Sequence, residues 1–131
     1  MWVKNTRSLL LLKQYVNFNL KRALLGILLY QDVYMKKYGA EVSHFLEVNP
    51  FLIPLLREAY THIRKYFLSS KLFLEAVADP EAIDEVQLVV FIAANHDPDE
   101  ASEALNRLDE DWWLDNMERA QDKLCITLEF Q

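Results

Sequence analysis

The chain has 131 residues, of which 52% are hydrophobic and 26% charged, a length and balance typical of one compact globular domain. With only 2 Gly, 4 Pro and 1 Cys, it is not a collagenous, linker-like or disulfide-stapled chain, and the lone Cys favours the reducing cytoplasm. The net charge of −6 is uneven, because residues 1–40 carry +6 and residues 79–131 carry −12. This acidic second half, without a recognised binding motif, argues against nucleic acid as a partner.

Residues 1–34 are Leu-rich and basic and differ from the rest of the chain. Polar residues interrupt every apolar run, so none reaches the ~20 residues of a membrane-spanning helix. No small-residue cleavage site of a signal peptide follows Ala23–Tyr30. Two interpretations remain. The segment is a basic amphipathic helix that docks on the body of the protein or on a membrane, or Met35 is the native start.

Residues 35–131 are expected to form one α+β domain. Asn49-Pro50 opens its clearest helix, since Asn is a common N-cap and Pro is tolerated in the first turn. Apolar residues then follow at the helical period as far as Phe67. The opposite face is basic and aromatic, a character usual for a solvated face and occasionally found on a binding face. Its candidate interaction residues are Arg57, Tyr60 and Arg64.

Two strands and a second helix come next. Leu72–Ala78 alternates in the manner of a strand, and Val86–Ala94 is apolar on both faces, so the pair predicts an antiparallel hairpin with a central second strand. Asp97-Pro98 begins the second helix, with Asp97 as its N-cap. Residues 123–130 alternate again and form the last strand.

The resulting order α-β-β-α-β predicts a two-layer sandwich with helices on one face of an antiparallel or mixed sheet. A basic helical segment precedes this body. If Val42–Val48 is a strand, the order becomes β-α-β-β-α-β, the ferredoxin-like arrangement. A helix fits Val42–Val48 at least as well.

One corner of the predicted fold gathers groups that can do chemistry. His96, Asp97 and Asp99 place an imidazole and two carboxylates between a strand and a helix, where they could bind a divalent cation or serve acid/base catalysis. Helix capping explains Asp97 without any ligand. The three His residues and one Cys lack zinc-ligand spacing, and no Gly-rich phosphate loop exists. We therefore expect no cofactor, no metal and no catalytic residue.

The stretch Asp109–Asp115 is the most unusual, because two adjacent Trp residues lie among acids. Neighbouring side chains on an α-helix point about 100° apart, so both indoles cannot share the centre of one narrow stripe. Trp113 then reaches the surface beside Asp111 and Asp115, as an anchor for a partner. In the alternative, the helix ends near Trp112 and both rings pack under the sheet edge.

Three motifs carry a family resemblance. They are Asn49–Leu56 (NPFLIPLL), Asp79–Glu81 (DPE) and Glu110–Asp115 (EDWWLD). The pattern resembles a group of small bacterial α+β proteins with no known activity. It covers about residues 40–131, which supports a late start at Met35, and it implies no functional residues.

From these features we expect a small, cytoplasmic, non-catalytic protein-interaction or regulatory module. Its partner would be another protein or a second copy of the chain. Two other hypotheses stay open. One is a metal-assisted or acid/base enzyme centred on His96, Asp97 and Asp99, and the other is a homodimer joined at the edge of the last strand.

Overall fold

The computed structural model describes residues 26, 30, 32–36, 39–78, 80–81, 85–94 and 97–130. They form, in chain order, β1 (Val33–Met35), α1 (Gly39–Val48), α2 (Leu52–Tyr66), β2 (Leu72–Ala78), β3 (Val86–Ala94), α3 (Pro98–Leu108) and β4 (Leu124–Phe130). Between α3 and β4 the chain makes a π-helical turn (Asp109–Trp113), a short α-helical turn (Leu114–Asn116) and a 3₁₀ turn (Met117–Ala120). The predicted α+β class is confirmed.

The four strands form one mixed, open sheet in the order β1-β2-β3-β4. β2 and β3 are antiparallel, which confirms the predicted hairpin, whereas β1 with β2 and β3 with β4 are parallel. Parallel neighbours need long crossover connections, and α1 with α2 supplies the first while α3 and the turns supply the second. β4 lies at the sheet edge, as the homodimer hypothesis requires, and the dimer itself stays a prediction.

The segment that could be read as strand or helix is a helix. Val42 and Leu46 lie one turn apart in α1 and are both buried, at 0% and 2% exposure. The strand at Val42–Val48 that the ferredoxin-like alternative required therefore does not occur. The additional strand lies earlier, at Val33–Met35, and pairs with Leu72–Leu74 of β2.

The predicted N-cap of α2 is wrong. The cap position is Phe51, and no side chain caps the helix there. The amide of Asn49 instead donates a hydrogen bond to the carbonyl oxygen of Phe45 at 2.9 Å, closing the end of α1. Asn49 is buried between the two helices, so tertiary packing rather than local cap preference decides its role.

The core lies between the helices and one face of the sheet. α2 contributes a stripe of almost fully buried side chains. Buried side chains of β3, the central strand that the sequence predicts, belong to the same core. The residues of α2 and β3 with at most 1% exposure are Leu52, Leu55, Ala59, Ile63, Leu88 and Ile92.

The predicted boundary after residue 34 falls inside β1. Val33 is 9% exposed and belongs to the core, and the N–H of Leu72 donates to the carbonyl oxygen of Asp32 at 2.8 Å. Most of residues 1–34 lies outside the described residues, so the basic helical segment and the native start stay predictions. No helix in the described ranges combines the length and apolar character that a membrane span requires.

Candidate functional site

The two adjacent tryptophans lie in the π-helical turn, and each is only 6% exposed. A π-helical turn contains more residues than an α-helical turn, so neighbouring side chains diverge by less than about 100° and can point into the core together. The ring centres of Trp112 and Trp113 are 5.7 Å apart. The interpretation of Trp113 as an exposed anchor is therefore wrong, and the structure shows the alternative in which both rings are packed.

The acidic residues beside the Trp pair lie at the surface. Asp111 accepts a hydrogen bond from the hydroxyl of Tyr66 on α2, and this bond raises the pKa of Tyr66. Asp115 is exposed. Asp111 thus ties the π-helical turn to α2, while a role for either acid in binding a partner stays a prediction.

The basic aromatic face of α2 contacts the chain's own earlier residues. Tyr60 stacks on Tyr30 with ring centres 4.3 Å apart, and the Arg64 guanidinium lies 5.1 Å from the Tyr60 ring centre. Arg64 also donates to the carbonyl oxygens of Phe67 at 3.0 Å and Ser70 at 2.5 Å, which closes the end of α2. Arg57 is exposed. Tyr60 and Arg64 thus make intramolecular contacts, and binding at this face stays a prediction.

Behind Trp112 lies a half-buried imidazole. The rings of His62 and Trp112 stack with centres 4.7 Å apart and planes 11° apart. Burial lowers the pKa of His62, the charge of Lys65 lowers it further, and Glu58 opposes both. The neutral imidazole is therefore the form that the folded protein favours.

We expect His62 to make the protein less stable in mild acid. Because its pKa is lowered on folding, the stability linked to the neutral ring is complete above the unfolded pKa of about 6.5 and is lost as pH falls below it. The His62→Phe variant keeps a flat ring against Trp112 but cannot take up a proton. Its thermal midpoint should fall less than that of the wild type between about pH 7.5 and about pH 5.5. Equal falls in circular-dichroism melts would contradict this expectation.

Asp97 acts as the N-cap of α3. The carboxylate of Asp97 accepts a hydrogen bond from the N–H of Asp99 at 3.0 Å, and Pro98 takes the first helical position, which confirms the capping prediction. His96 lies outside the described residues, and Asp99 is exposed. No three His, Cys, Asp or Glu side chains in the described part of the chain are grouped to hold a metal ion. The enzyme hypothesis stays a prediction.

Cys125 is half-buried in β4. Burial raises the pKa of its thiol, and the nearby charge of Asp109 raises it further. The neutral thiol is therefore favoured, and it is a weak nucleophile.

A cleft of about 710 Å³ opens between α1 and the neighbouring ends of β2 and β3. Leu72 and Leu74 fill the space under the helices at the start of β2, whereas Ala76 and Ala78, on the same side of that strand, leave it empty. The lining residues are Ala40, Glu41, His44, Phe45, Val48, Asn49, Ala76, Ala78, Val86 and Lys123.

Three polar side chains in this cleft are available to a ligand. Asn49 is already bonded to Phe45. Glu41, His44 and Lys123 form no ion pair with any residue that the structure describes. The cleft therefore combines an apolar lining with a carboxyl group, an amino group and an imidazole. None of these three groups forms an ion pair within the described part of the chain.

Sequence reasoning missed this cleft. Of its lining residues, His44 lies in the segment Val42–Val48, whose secondary structure stayed open. Glu41 lies directly before that segment, and Lys123 lies at the start of the predicted last strand and directly before β4. The one signal in the sequence is the change from Leu to Ala at alternate positions of β2, at Ala76 and Ala78.

No protein-family model, curated protein or solved structure matches the chain.

Proposed function

We propose that the protein is a small interaction module that binds an apolar segment of a partner protein in the cleft between α1 and the sheet. The observation that carries this proposal is the size and lining of the cleft. About 710 Å³ lies in the usual range of ligand-binding sites, and a mainly apolar wall with a few polar groups is their usual composition.

The mouth of the cleft also exposes apolar surface. Val48 at the end of α1 is 64% exposed, and Val86 at the start of β3 is 38% exposed. Both side chains line the same cleft, so their exposed surfaces adjoin its apolar wall. Contiguous exposed apolar surface of this kind marks interaction sites in soluble proteins.

We keep the interaction function that the sequence predicts, but we place the binding surface at the cleft instead of at Trp113. Trp113 is buried, so the cleft replaces it as the anchor point. We assign the module to the cytoplasm, because its single cysteine forms no disulfide within the chain and a reducing compartment keeps such a thiol free. We assign it no catalytic step.

The test is a selection of displayed random ten-residue peptides on the immobilised full chain. The Val48→Asp variant places a charge at the mouth of the cleft, on a side chain exposed enough to leave the fold intact. Selected peptides should bind this variant at least roughly tenfold more weakly than the wild type, because the charge must be desolvated on binding.

Leu68→Asp is the matched control, since Leu68 is 83% exposed and does not line the cleft. This variant should keep wild-type affinity. Peptides that bind Val48→Asp as tightly as the wild type, or the absence of any enriched peptide, would overturn the proposal.

A further inference from the structure

The edge of β2 that borders the cleft is only partly paired. β1 meets β2 at three positions, ending with Met35 opposite Leu74, and the N–H of Lys36 donates the last bond of this ladder to the carbonyl oxygen of Leu74 at 2.8 Å. β2 itself continues to Ala78. Within the described part of the chain, no strand covers this side of β2 beyond Leu74.

The hydrogen bonds already present show which residues face that edge. The backbone groups of Leu72 and Leu74 bond to β1, whereas the carbonyl oxygen of Lys71 accepts from Ala93 of β3 at 2.9 Å. Even-numbered residues of β2 therefore direct their N–H and C=O groups toward β1, and odd-numbered residues direct theirs toward β3. By this period, Ala76 and Ala78 present their backbone groups past the end of β1.

The first residue of α1 lies close to the last residue of β1. A Cβ atom built on Gly39 would lie 3.5 Å from Cγ of Met35, so α1 begins directly against the end of the strand. From there α1 forms the wall of the cleft that faces Ala76 and Ala78. The site thus has a strand edge on one side, a helix on the other, and space for a chain between them.

We propose that the cleft takes an extended segment of a partner protein, which adds to the sheet as a strand beside Ala76–Ala78. This inference rests on the proposed function and specifies its mode. The added segment continues the line of β1, and its main chain pairs with the N–H and C=O groups of Ala76 and Ala78. Its alternate side chains enter the cleft toward α1, which is how strand addition combines affinity with selectivity.

The lining specifies the chemistry of that segment. The small side chains of Ala76 and Ala78 leave room for larger apolar side chains of the peptide. Glu41 lies in the first turn of α1, near the end of β1, and favours a basic residue there. Lys123, whose carbonyl oxygen accepts from Leu88 at 2.9 Å, lines the sheet wall two strands away from this edge. It therefore favours only an acidic side chain that is long enough to cross the cleft.

A separate partner fits this edge better than a second copy of the chain. The other edge strand of the sheet is β4. Pairing β4 of one copy with β2 of the next would be a head-to-tail contact, which closes into a ring only for particular rotations and otherwise grows into a filament. A symmetric contact between two copies would pair only Ala76–Ala78 of each, because β2 ends at Ala78 and β1 covers it as far as Leu74. We therefore assign the edge to a peptide segment of another protein.

The experiment uses the most enriched peptide from the selection, resynthesised with one backbone N-methyl group at a time. Affinity for the full chain is measured by fluorescence polarisation. Methylation at alternate positions, whose N–H groups donate to β2, should weaken binding by roughly tenfold or more, and methylation at the positions between them should change it by less than about twofold. A strand pairs on one side only at every second residue, so this alternation is its signature.

A variant tests the same edge from the protein's side. Ala76→Pro removes the N–H that faces the unpaired edge of β2. It leaves every hydrogen bond between β2 and β3 intact. It should weaken binding by roughly tenfold, while Ala76→Ser, which keeps the N–H, should bind within about threefold of the wild type. If Ala76→Pro does not fold, the N-methyl series on the wild-type protein decides.

The outcomes separate the two proposals. If the selected peptides lose their affinity for the Val48→Asp variant but keep it after N-methylation at every position, strand addition is overturned and the cleft remains a binding site. The absence of any enriched peptide would overturn both. A dimer in light scattering that the peptide dissociates would show that a second copy occupies the edge, and would overturn the inference of a separate partner.

Discussion

Replacing Trp113 with Ala should lower the free energy of unfolding by about 3–5 kcal/mol. The side chain is 6% exposed and packs beside Trp112 in the core, so its removal takes away a large apolar contact and leaves a cavity that rigid neighbours cannot fill. Urea unfolding followed by far-UV circular dichroism measures the loss. An exposed binding residue would behave oppositely, because its replacement would change affinity and leave stability unaltered.

Leu114→Ala is the control for this experiment. Leu114 is the next residue in the chain and is 57% exposed, so its replacement should change the free energy of unfolding by no more than about 0.5 kcal/mol. A Trp113→Ala protein that unfolds at the wild-type urea concentration would contradict the packed arrangement and would favour the surface-anchor interpretation.

The sequence predicts those parts of the fold that depend on patterns among neighbouring residues. Alternation and apolar runs predict β2 and β3 over the ranges Leu72–Ala78 and Val86–Ala94 that the structure shows. Asp97-Pro98 predicts the start of α3, because a cap acts within one turn of chain. These features need no knowledge of distant residues.

The parts that the sequence does not predict depend on distant contacts. β1 has only three residues, too few for a period, and it exists as a strand because Val33–Met35 pairs with Leu72–Leu74. Asn49 carries a cap signal for α2, yet it bonds backward to Phe45 because the two helices enclose it. Local preference is a weak prior that tertiary packing overrides in both places.

The candidate site shows the same division. The presence of two adjacent Trp residues is visible in the sequence, but the π-helical turn that lets both enter the core is not, because the period used to predict helices assumes α-helical spacing. The cleft arises where α1 lies opposite Ala76 and Ala78, residues far from it along the chain. Single residue types therefore suggested that Trp113 is exposed, which is wrong, and the cleft becomes visible only in the arrangement of the elements.

A chain that starts at Met35 should be less stable than the full chain by about 3–5 kcal/mol. It lacks Val33, which is buried in the core, and Tyr30, which stacks on Tyr60. It also leaves the N–H of Leu72 without the carbonyl oxygen of Asp32. Urea unfolding of the two purified proteins measures the difference, and the full chain should unfold at the higher urea concentration.

Met35→Leu in the full chain is the matched control, because it removes the internal start codon while keeping the side-chain volume. Its stability should stay within about 1.5 kcal/mol of the wild type. If the chain that starts at Met35 unfolds at the same urea concentration as the full chain, the pairing of Val33 with Leu72 contributes nothing, and the late-start hypothesis gains support. The expected loss would instead show that the domain begins before residue 35, because a first strand that has lost two of its three residues leaves most of the outer edge of β2 unpaired.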